Sequence, residues 1–250
     1  FNKIRMIKAE FRGIDNTPGI YEPKNPPTIE ELANRLAPEF RDAFTANYTK
    51  KIAEGGPIVA YADGCYDMFH FGHAYQLKQI KTLHPHIKLV VGVCGDADIG
   101  KHKGHVIMNE KERVETVKHC RYVDDIVFPA PWCPTLEFMD EQGIDFIAHD
   151  TIAYDAPGVD DVYSPMKHAG RFLPTLRTDG ISTSDLLTRI LKDREEYYER
   201  NLKKGISRKD MNLNYAHFAF IQMKGVLGNM QRCLKKVDYE DGEEEKKESV

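Results

Sequence analysis

Short, nearly continuous apolar runs alternate with amphipathic segments between residues 57 and 205. The apolar runs are IVAYA (58–62), KLVVGVC (88–94), DDIVF (124–128), IDFIAH (144–149) and FLPTL (172–176). The segments between them have helical spacing and cover residues 72–83, 109–120, 134–143 and 164–170. Apolar strands separated by helices are typical of a parallel sheet that is covered on both faces. The pattern therefore predicts an α/β fold with a doubly wound, Rossmann-like parallel sheet and helices on both faces.

The segments on either side of this alternation predict an N-terminal arm and a C-terminal helical extension. Residues 1–56 hold a proline-rich arm and then a short helix over 28–46, because Thr28 and Glu31 fit a capping box. A long helix is expected over 182–205, where Gly205 can end it. The predicted domains are therefore 1–56 for the arm and 57–205 for the core, followed by the extension.

Apolar residues in steps of three and four predict a helical seam within the extension, residues 206–237. Gly225 and Gly228 weaken this helix by about 1 kcal/mol each. The charged tail, residues 238–250, is expected to be disordered. The seam consists of Phe220, Met223, Leu227, Met230, Leu234 and Val237.

Within the core, local signals predict helix ends. Asn109 and Glu112 fit a capping box, Pro134 fits the first position of a helix, and Gly143 fits the position after one.

Composition limits the classes of function. The 250 residues carry a net charge of −4, so no overall basic footprint for nucleic acid exists and any anion site must be local. No run of 18 apolar residues is present, and no secretory signal is apparent at the start. Five cysteines without a CxxC pair indicate reduced thiols. We therefore expect a cytoplasmic or nuclear protein.

Candidate chemistry first appears in YADGCYDMFHFGH, residues 61–73, where the first strand passes into a helix. Ligands of doubly wound sheets bind beyond the carboxyl ends of the strands. His70 and His73 are three positions apart, so both rings face one side of the helix start, and Gly72 lets a phosphate approach the backbone. Two imidazoles at a helix N-terminus predict a phosphate site, with Asp63 and Gly64 beside it.

A second anion site is predicted in RTDGISTSD, residues 177–185. Arg177 precedes a helix that begins with three hydroxyl residues, and free N–H groups at a helix start bind anions. The plainer alternatives are histidines that only pack or cap, and an ordinary hydroxyl cap. A zinc site would need third and fourth ligands that no motif supplies. The usual P-loop and GxGxxG motifs are absent. The three hydroxyl residues are Ser182, Thr183 and Ser184.

Residues 57–212 resemble the cytidylyltransferase family, and most closely its choline-phosphate members. The resemblance rests on HFGH (70–73), HKGHVIMNEKER (102–113), HCRYVDDIV (119–127), APW (130–132) and RTDGISTSD. One departure is Asp179, where the family usually carries Glu; its shorter carboxylate can shift a hydrogen bond near Arg177. By this resemblance the phosphate of phosphocholine attacks the α-phosphorus of CTP, giving CDP-choline and pyrophosphate.

The resemblance also implies roles for individual residues. His70, His73, Lys103 and Arg177 are expected to be catalytic, with Lys103 on the loop after the second strand, and Mg²⁺ is expected on the triphosphate. The nucleotide residues implied are Gly64, Gly72, Arg121, Ser182, Thr183 and Ser184. The phosphocholine residues implied are Asp63, Lys103, Trp132, Asp150, Tyr154 and Tyr163; a quaternary ammonium has no N–H to donate, so aromatic faces and carboxylates recognise it.

Partners and alternatives follow from the same resemblance. The family implies a homodimer, with part of the contact at 119–127, and reversible lipid contact through an amphipathic C-terminal helix. The shortness of the 216–237 seam and its glycines favour packing against the fold or a dimer mate over lipid contact. Two other functions stay open, a phosphoethanolamine cytidylyltransferase and a lipid-binding regulator with a relic catalytic fold.

Overall fold

A computed structural model describes residues 26–156 and 158–224 of the chain. The chain divides into two compact units, residues 1–183 and residues 184–250. The division falls inside the segment 57–205 that the sequence predicts as one domain. The arm up to residue 25, the seam from Leu227 onward and the tail 238–250 lie outside the described residues.

The first unit is built on a five-stranded sheet in the order β3-β2-β1-β4-β5, with every neighbouring pair parallel. Consecutive residues of β1, such as Ala60 and Tyr61, are fully buried, as expected for a strand that is covered on both faces. The predicted α/β fold and all five predicted strands are confirmed, each within two residues at either end. The strands are β1 (Ile58–Gly64), β2 (Ile87–Cys94), β3 (Asp125–Ala130), β4 (Phe146–Asp150) and β5 (Phe172–Thr175).

The strand order places a switch point at β1. The chain runs outward from β1 through β2 to β3, then returns to the other side of β1 for β4 and β5. Right-handed crossovers in the two directions put helices on opposite faces and open a crevice beyond the carboxyl ends of β1 and β4. The residues that follow these strands therefore meet at one edge.

Seven helices accompany these strands in the described part of the first unit. The predicted helix over 28–46 is wrong, because the chain forms two helices that break before Pro38, the first residue of the second one. The capping box of Thr28 and Glu31 is confirmed, and so is that of Asn109 and Glu112. The helices are α1 (Ile29–Ala33), α2 (Pro38–Ala53), α3 (Phe71–Lys81), α4 (Asp96–His102), α5 (Glu110–Lys118), α6 (Leu136–Glu141) and α7 (Ser164–His168).

Two details of these helices differ from prediction. Thr135 caps α6 with its side chain, so Pro134 precedes the cap and is not the first helical residue. The sequence analysis also did not predict α4, because its sequence DADIGKH is short and contains a glycine. Gly143 does follow α6, with a φ of +64°, as predicted.

The second unit contains α8 (Thr183–Lys192), whose first residue closes the first unit, and α9 (Arg194–Lys203). The single helix predicted over 182–205 is wrong, because Asp193 has a non-helical backbone and separates the two. Gly205 follows α9 with a φ of +86°, as predicted. Residues 215–224 are helical, and the two seam residues within them, Phe220 and Met223, are exposed. Over the described part of the chain, no helix has the length and apolar character needed to cross a bilayer.

Candidate active site

His70 and His73 lie at the start of α3, where β1 has just ended. His70 is the N-cap residue, and its backbone N–H donates to Nδ1 of His73 over 3.3 Å. The two imidazole rings stack with centroids 3.8 Å apart and planes 21° from parallel. The pattern HxGH therefore creates a paired imidazole at a helix N-terminus, where backbone N–H groups and the helix dipole also favour an anion.

The protonation state of His73 follows from its surroundings. Burial lowers its pKa to about 3, assisted by the neighbouring His70 and by the positive charge of Lys103. The ring is thus neutral at pH 7, and because Nδ1 accepts the His70 N–H, its proton is assigned to Nε2. Such a ring offers one fixed N–H donor and cannot act as a general acid at neutral pH.

This low pKa makes stability depend on pH. The unfolded state binds a proton at His73 below about pH 6.5, whereas the folded state resists it down to about 3. Folded protein is therefore favoured above pH 6.5, and this contribution is lost as the pH falls through that window. We expect the wild type to lose about 2 kcal/mol more unfolding free energy than His73→Asn between pH 7 and 4.5.

Urea unfolding at both pH values measures this difference. Asparagine is the matched variant because its side-chain oxygen can accept the His70 N–H while nothing at position 73 titrates. Equal losses in the two proteins would show that His73 is not held neutral by burial.

Gly72 and Gly64 allow the close packing around the histidines. A β-carbon at position 72 would lie 3.0 Å from the His70 ring and 3.0 Å from Cγ2 of Ile181. A β-carbon at position 64 would lie 3.3 Å from the ring of Tyr66. Both predicted nucleotide glycines thus lie where neighbouring side chains are in close contact, and Gly72 brings the segment before α8 against the start of α3.

Lys103 is the C-cap residue of α4, so the predicted loop position is corrected to a helix end. Its Nζ lies 3.8 Å from Sγ of Cys65, two residues beyond Asp63. The pKa of Cys65 is lowered to about 7, chiefly by a hydrogen bond with Cys94; burial opposes the shift, and Lys103 and Arg113 assist it. Lys103 is thus held at the end of β1, within electrostatic range of His73.

Asp67 and Arg113 support this region, and the sequence analysis did not single them out. The buried Asp67 carboxylate accepts the backbone N–H groups of Ile107 and Met108, each over 2.9 Å. The Asp67 carbonyl accepts the Thr183 hydroxyl over 3.0 Å. Asp67 lies in the histidine loop, the residues 65–69 that lead from β1 to the histidine pair. It therefore joins this loop both to the segment after Lys103 and to Thr183, the first residue of α8.

Arg113 is fully buried in α5 and makes three polar contacts. It donates to the carbonyls of Met108 and Cys65 over 3.1 and 2.7 Å, and it pairs with Asp96 over 2.7 Å. A buried guanidinium needs such partners, so it fixes the segments around it. Arg113 is four positions before the buried Val117, on the same face of α5, and this spacing could have indicated a buried basic residue.

Strained backbone surrounds Asp67. Tyr66 and Met68 have φ values of +53° and +47°, a region that costs a non-glycine residue about 1–2 kcal/mol. The two hydrogen bonds to the Asp67 carboxylate hold the loop in this conformation. No side-chain pattern in the sequence could have revealed this strain.

The predicted triphosphate residues follow β5. Arg177 is exposed on this loop, and its charge opposes the rise in the pKa of Tyr154, so the two residues are near each other. Ser182 and Thr183 belong to the first unit, whereas Ser184 begins the second. Asp179 is exposed. The structure thus brings Thr183 to the histidine loop and Arg177 toward the tyrosines.

A second polar cluster occupies the switch point between β1 and β4. The Tyr163 hydroxyl donates to both oxygens of the buried Asp63 carboxylate, at 3.2 and 3.1 Å. The His149 ring stacks on Tyr163 with centroids 4.9 Å apart. Tyr154 meets the His149 ring edge-on at 4.6 Å, and its hydroxyl donates to Asp150 over 3.1 Å. Two carboxylates and three rings therefore meet here, and His149 is a member that the sequence analysis missed.

The two carboxylates differ in their electrostatics. Burial raises the pKa of Asp63 and outweighs the lowering by His149 and by the Tyr163 hydrogen bond. For Asp150 burial also acts upward, but His149, the Ile152 N–H and Tyr154 hold the pKa below its usual value. Burial, with the nearby Asp150 charge, raises the pKa of Tyr154 to about 12. A cation bound beside Asp63 would favour its charged form.

Trp132 lies in a different cluster from the two tyrosines. It packs against Cys65, Cys94 and Ile99, and its ring stacks on His102 with centroids 4.9 Å apart. The next residue, Cys133, has its pKa raised by burial and by the charge of Asp63, so this loop is within electrostatic range of that carboxylate. Arg121 is exposed on the turn after α5. The structure therefore groups Asp63, Asp150, Tyr154 and Tyr163, with Trp132 nearby.

Among the described residues, no group of three or more His, Cys, Asp or Glu side chains is arranged to hold a metal ion. Around the histidine pair the side chains are imidazole, ammonium and hydroxyl groups, apart from Asp67, whose carboxylate already accepts two backbone N–H groups. Such donors suit phosphate oxygens and not Mg²⁺, which prefers carboxylates, phosphates and water.

Comparison with known proteins finds a family match and several named relatives. Residues 61–189, just over half of the chain, match the family model described as cytidylyltransferase-like. Choline-phosphate cytidylyltransferase A of Rattus norvegicus is 46% identical over 182 residues, which are 73% of this chain and 50% of the relative. The probable choline-phosphate cytidylyltransferase of Schizosaccharomyces pombe is 47% identical over 161 residues, 64% of this chain and 44% of the relative.

A more distant relative carries a different name. The ethanolamine-phosphate cytidylyltransferase of Dictyostelium discoideum is 43% identical over 136 residues, 54% of this chain and 37% of the relative. The chain thus spans about half the length, or less, of these relatives. The match over residues 61–189 contains the histidine pair, the switch-point cluster and the start of α8, and it shows that the chain belongs to the cytidylyltransferase-like family.

Proposed function

We propose that this chain transfers the cytidylyl group of CTP to phosphocholine, giving CDP-choline for phosphatidylcholine synthesis. A phosphate oxygen of phosphocholine forms a bond to the α-phosphorus, the bond from that phosphorus to the oxygen bridging to the β-phosphate breaks, and pyrophosphate leaves. The nucleophile is already an anion, so the reaction needs in-line positioning and charge stabilisation rather than proton transfer.

The observation that carries the proposal is the stacked imidazole pair at the start of α3, in which burial keeps His73 neutral. The Nε2–H of His73 is a fixed donor for the α-phosphate, and Lys103 supplies a positive charge between the two substrates' phosphates. His70, Gly64, Gly72 and Arg121 complete the nucleotide side. Mg²⁺ bound to CTP would supply further positive charge to the triphosphate. Arg177, Ser182, Thr183 and Ser184 hold the β- and γ-phosphates.

The switch-point cluster supports a quaternary ammonium as the acceptor's other end. Asp63 and Asp150 supply negative charge, and Tyr154 supplies an aromatic face, with Tyr163 behind it and Trp132 nearby. A trimethylammonium group offers no N–H, so it would not compete for the hydrogen bonds that the two carboxylates already accept from tyrosines. The similarity to enzymes named for choline phosphate supports the same acceptor.

Pyrophosphate release with CTP and Mg²⁺ tests the proposal, with phosphocholine, phosphoethanolamine and glycerol-3-phosphate compared as acceptors. We expect kcat/KM for phosphocholine to exceed the others at least tenfold, because a primary ammonium needs acceptors that are already in use here. A preference for phosphoethanolamine would support cytidylyl transfer but contradict phosphocholine as the acceptor. CTP binding without release to any acceptor would favour a regulator with a relic catalytic fold.

Assembly and location are part of the same proposal. β3 is an edge strand whose residues are mostly half-buried or exposed, including Phe128. This favours a homodimer contact at 119–127. The exposed Phe220 and Met223 suit either a dimer mate or reversible contact with a lipid surface. We propose that the protein works in the cytoplasm or nucleus, with peripheral membrane contact and no nucleic-acid partner.

A further inference from the structure

The loop between β4 and α7 carries both tyrosines of the switch-point cluster. Tyr154 and Tyr163 are nine positions apart, yet their rings lie 6.1 Å from each other. The carbonyl of Tyr154 accepts the N–H of Val162 over 2.8 Å, so the two ends of the loop run side by side. Ala156 and Val159 exchange two more backbone hydrogen bonds farther along the loop. At the tyrosines themselves, a side-chain group adds to the backbone bond.

That group is the carboxylate of Asp161. Its Oδ1 accepts the backbone N–H of Tyr163 over 3.1 Å and that of Tyr154 over 3.4 Å. One oxygen atom therefore binds the backbone of both tyrosines. The hydroxyls of the same two residues reach Asp63 and Asp150, so the backbone bonds set where those hydroxyls lie.

The other oxygen of Asp161 is held by a buried lysine. Nζ of Lys167 donates to Oδ2 over 2.7 Å, and the side chains of Lys167 and Asp161 are only 7% and 15% exposed. The same Nζ lies 4.9 Å from the ring centroid of Phe172, at the start of β5. A buried ammonium is strongly unfavourable without a charged partner. The pair thus anchors the tyrosine loop to α7 and to the sheet.

We propose that Asp161 and Lys167 are positioning residues that set the enzyme's selectivity for its acceptor. The inference rests on the proposed function and adds a cause for its choice of substrate. Neither residue has a hydrogen bond to the histidine pair, Lys103 or Arg177 among the described contacts. Disturbing the pair should therefore move the acceptor site and leave the nucleotide site in place.

The decisive variant is Asp161→Asn in the full chain, with Asp160→Asn as its matched control. The asparagine side chain would keep an acceptor for the tyrosine N–H groups but leave Lys167 without a countercharge. Asp160 is exposed and adjacent, so the same change there alters the net charge equally. We expect Asp161→Asn to raise KM for phosphocholine at least tenfold and to leave KM for CTP within twofold. Asp160→Asn should leave both within twofold.

Two further variants separate positioning from general destabilisation. Lys167→Arg keeps the charge and should retain a KM for phosphocholine closer to the wild-type value than Lys167→Met does. The ratio of kcat/KM for phosphocholine to that for phosphoethanolamine should fall in Asp161→Asn. If that variant does not melt cooperatively, Asp161→Asn combined with Lys167→Met, which leaves no unpaired buried charge, is measured in its place.

The outcomes distinguish this inference from the function on which it rests. Absence of phosphocholine-dependent release in the wild type would overturn the proposed function itself. Wild-type release together with a folded Asp161→Asn whose KM for phosphocholine is unchanged would overturn the positioning role alone. An equal rise in both KM values would do the same, because it would show a structural effect on the whole fold.

Discussion

Replacing His73 by alanine is expected to lower kcat for pyrophosphate release by about 10²–10³, the usual cost of removing one donor that stabilises transition-state charge. Burial keeps the ring neutral, and the hydrogen bond from His70 leaves the proton on Nε2. That donor can strengthen its bond as charge develops on the α-phosphate oxygens. Initial rates at saturating CTP and phosphocholine measure the effect.

Two amide variants test whether the donor is responsible. Glutamine can place its NH₂ group near the position of Nε2, whereas asparagine reproduces only the acceptor at Nδ1. We expect His73→Gln to retain more activity than His73→Asn, and His73→Asn to resemble His73→Ala. If asparagine restored activity, the essential part of His73 would be its cap on α3. Circular dichroism melting of all three variants controls for folding.

Gly170→Ala is expected to reduce the unfolding free energy by about 3–4 kcal/mol, the sum of a left-handed backbone and a steric clash. A β-carbon at this position would lie 2.3 Å from the carbonyl oxygen of Ala43, in α2. The neighbouring carbonyl of Ala169 accepts a hydrogen bond from Asn47 of the same helix over 2.7 Å, so the two segments cannot separate without loss.

Gly143→Ala is the matched control for this substitution. Gly143 has a φ of +64° against +65° for Gly170, but an added β-carbon there meets nothing within 4 Å. The control should lose only about 1–2 kcal/mol, the cost of the left-handed conformation. Urea denaturation gives both values. Similar losses of unfolding free energy in the two variants would mean that α2 and the segment after α7 can move apart at little energetic cost.

The inner strands were predictable because burial on both faces produces a simple sequence pattern. A central parallel strand such as IVAYA must be apolar at nearly every position, and no described helix has five such residues in a row. Helix ends were predictable where side chains make the cap themselves, as Thr28 and Asn109 do. The break before Pro38 could have been read from the proline, which favours the first turn of a helix.

Other features depend on contacts between distant segments and leave no local trace. Helix α4 begins where Asp96 receives Arg113 and the N–H of Glu110, so its N-terminus is fixed by residues of α5. The separation of α8 from α9 at Asp193 has no glycine or proline to mark it. Sequence position alone does not reveal such breaks, because tertiary contacts override weak propensities.

The residues of the candidate site also fall into those that a local sequence signal identified and those that only the tertiary structure reveals. His70 and His73 were found from their spacing at a helix start, Lys103 because its motif resembles a family, and Asp63 because it lies near the end of a strand. Asp161 and Lys167 were missed, since a charged pair within DDVYSPMK is indistinguishable from a solvated surface until its burial is known. A buried lysine is rare enough that burial by itself would have drawn attention to it.

The strand order has a consequence for how the proposed enzyme could change over evolutionary time. Residues from Asp63 to Arg113, which include the histidine pair and Lys103, are encoded before β3, and the tyrosine loop is encoded between β4 and β5. Mutations in the loop can therefore alter which acceptor is used while the segment proposed to bind the α-phosphate is inherited unchanged. Asp63 belongs to the first segment, but its carboxylate accepts a hydrogen bond from Tyr163 of the second. Substitutions in either segment must therefore preserve this contact.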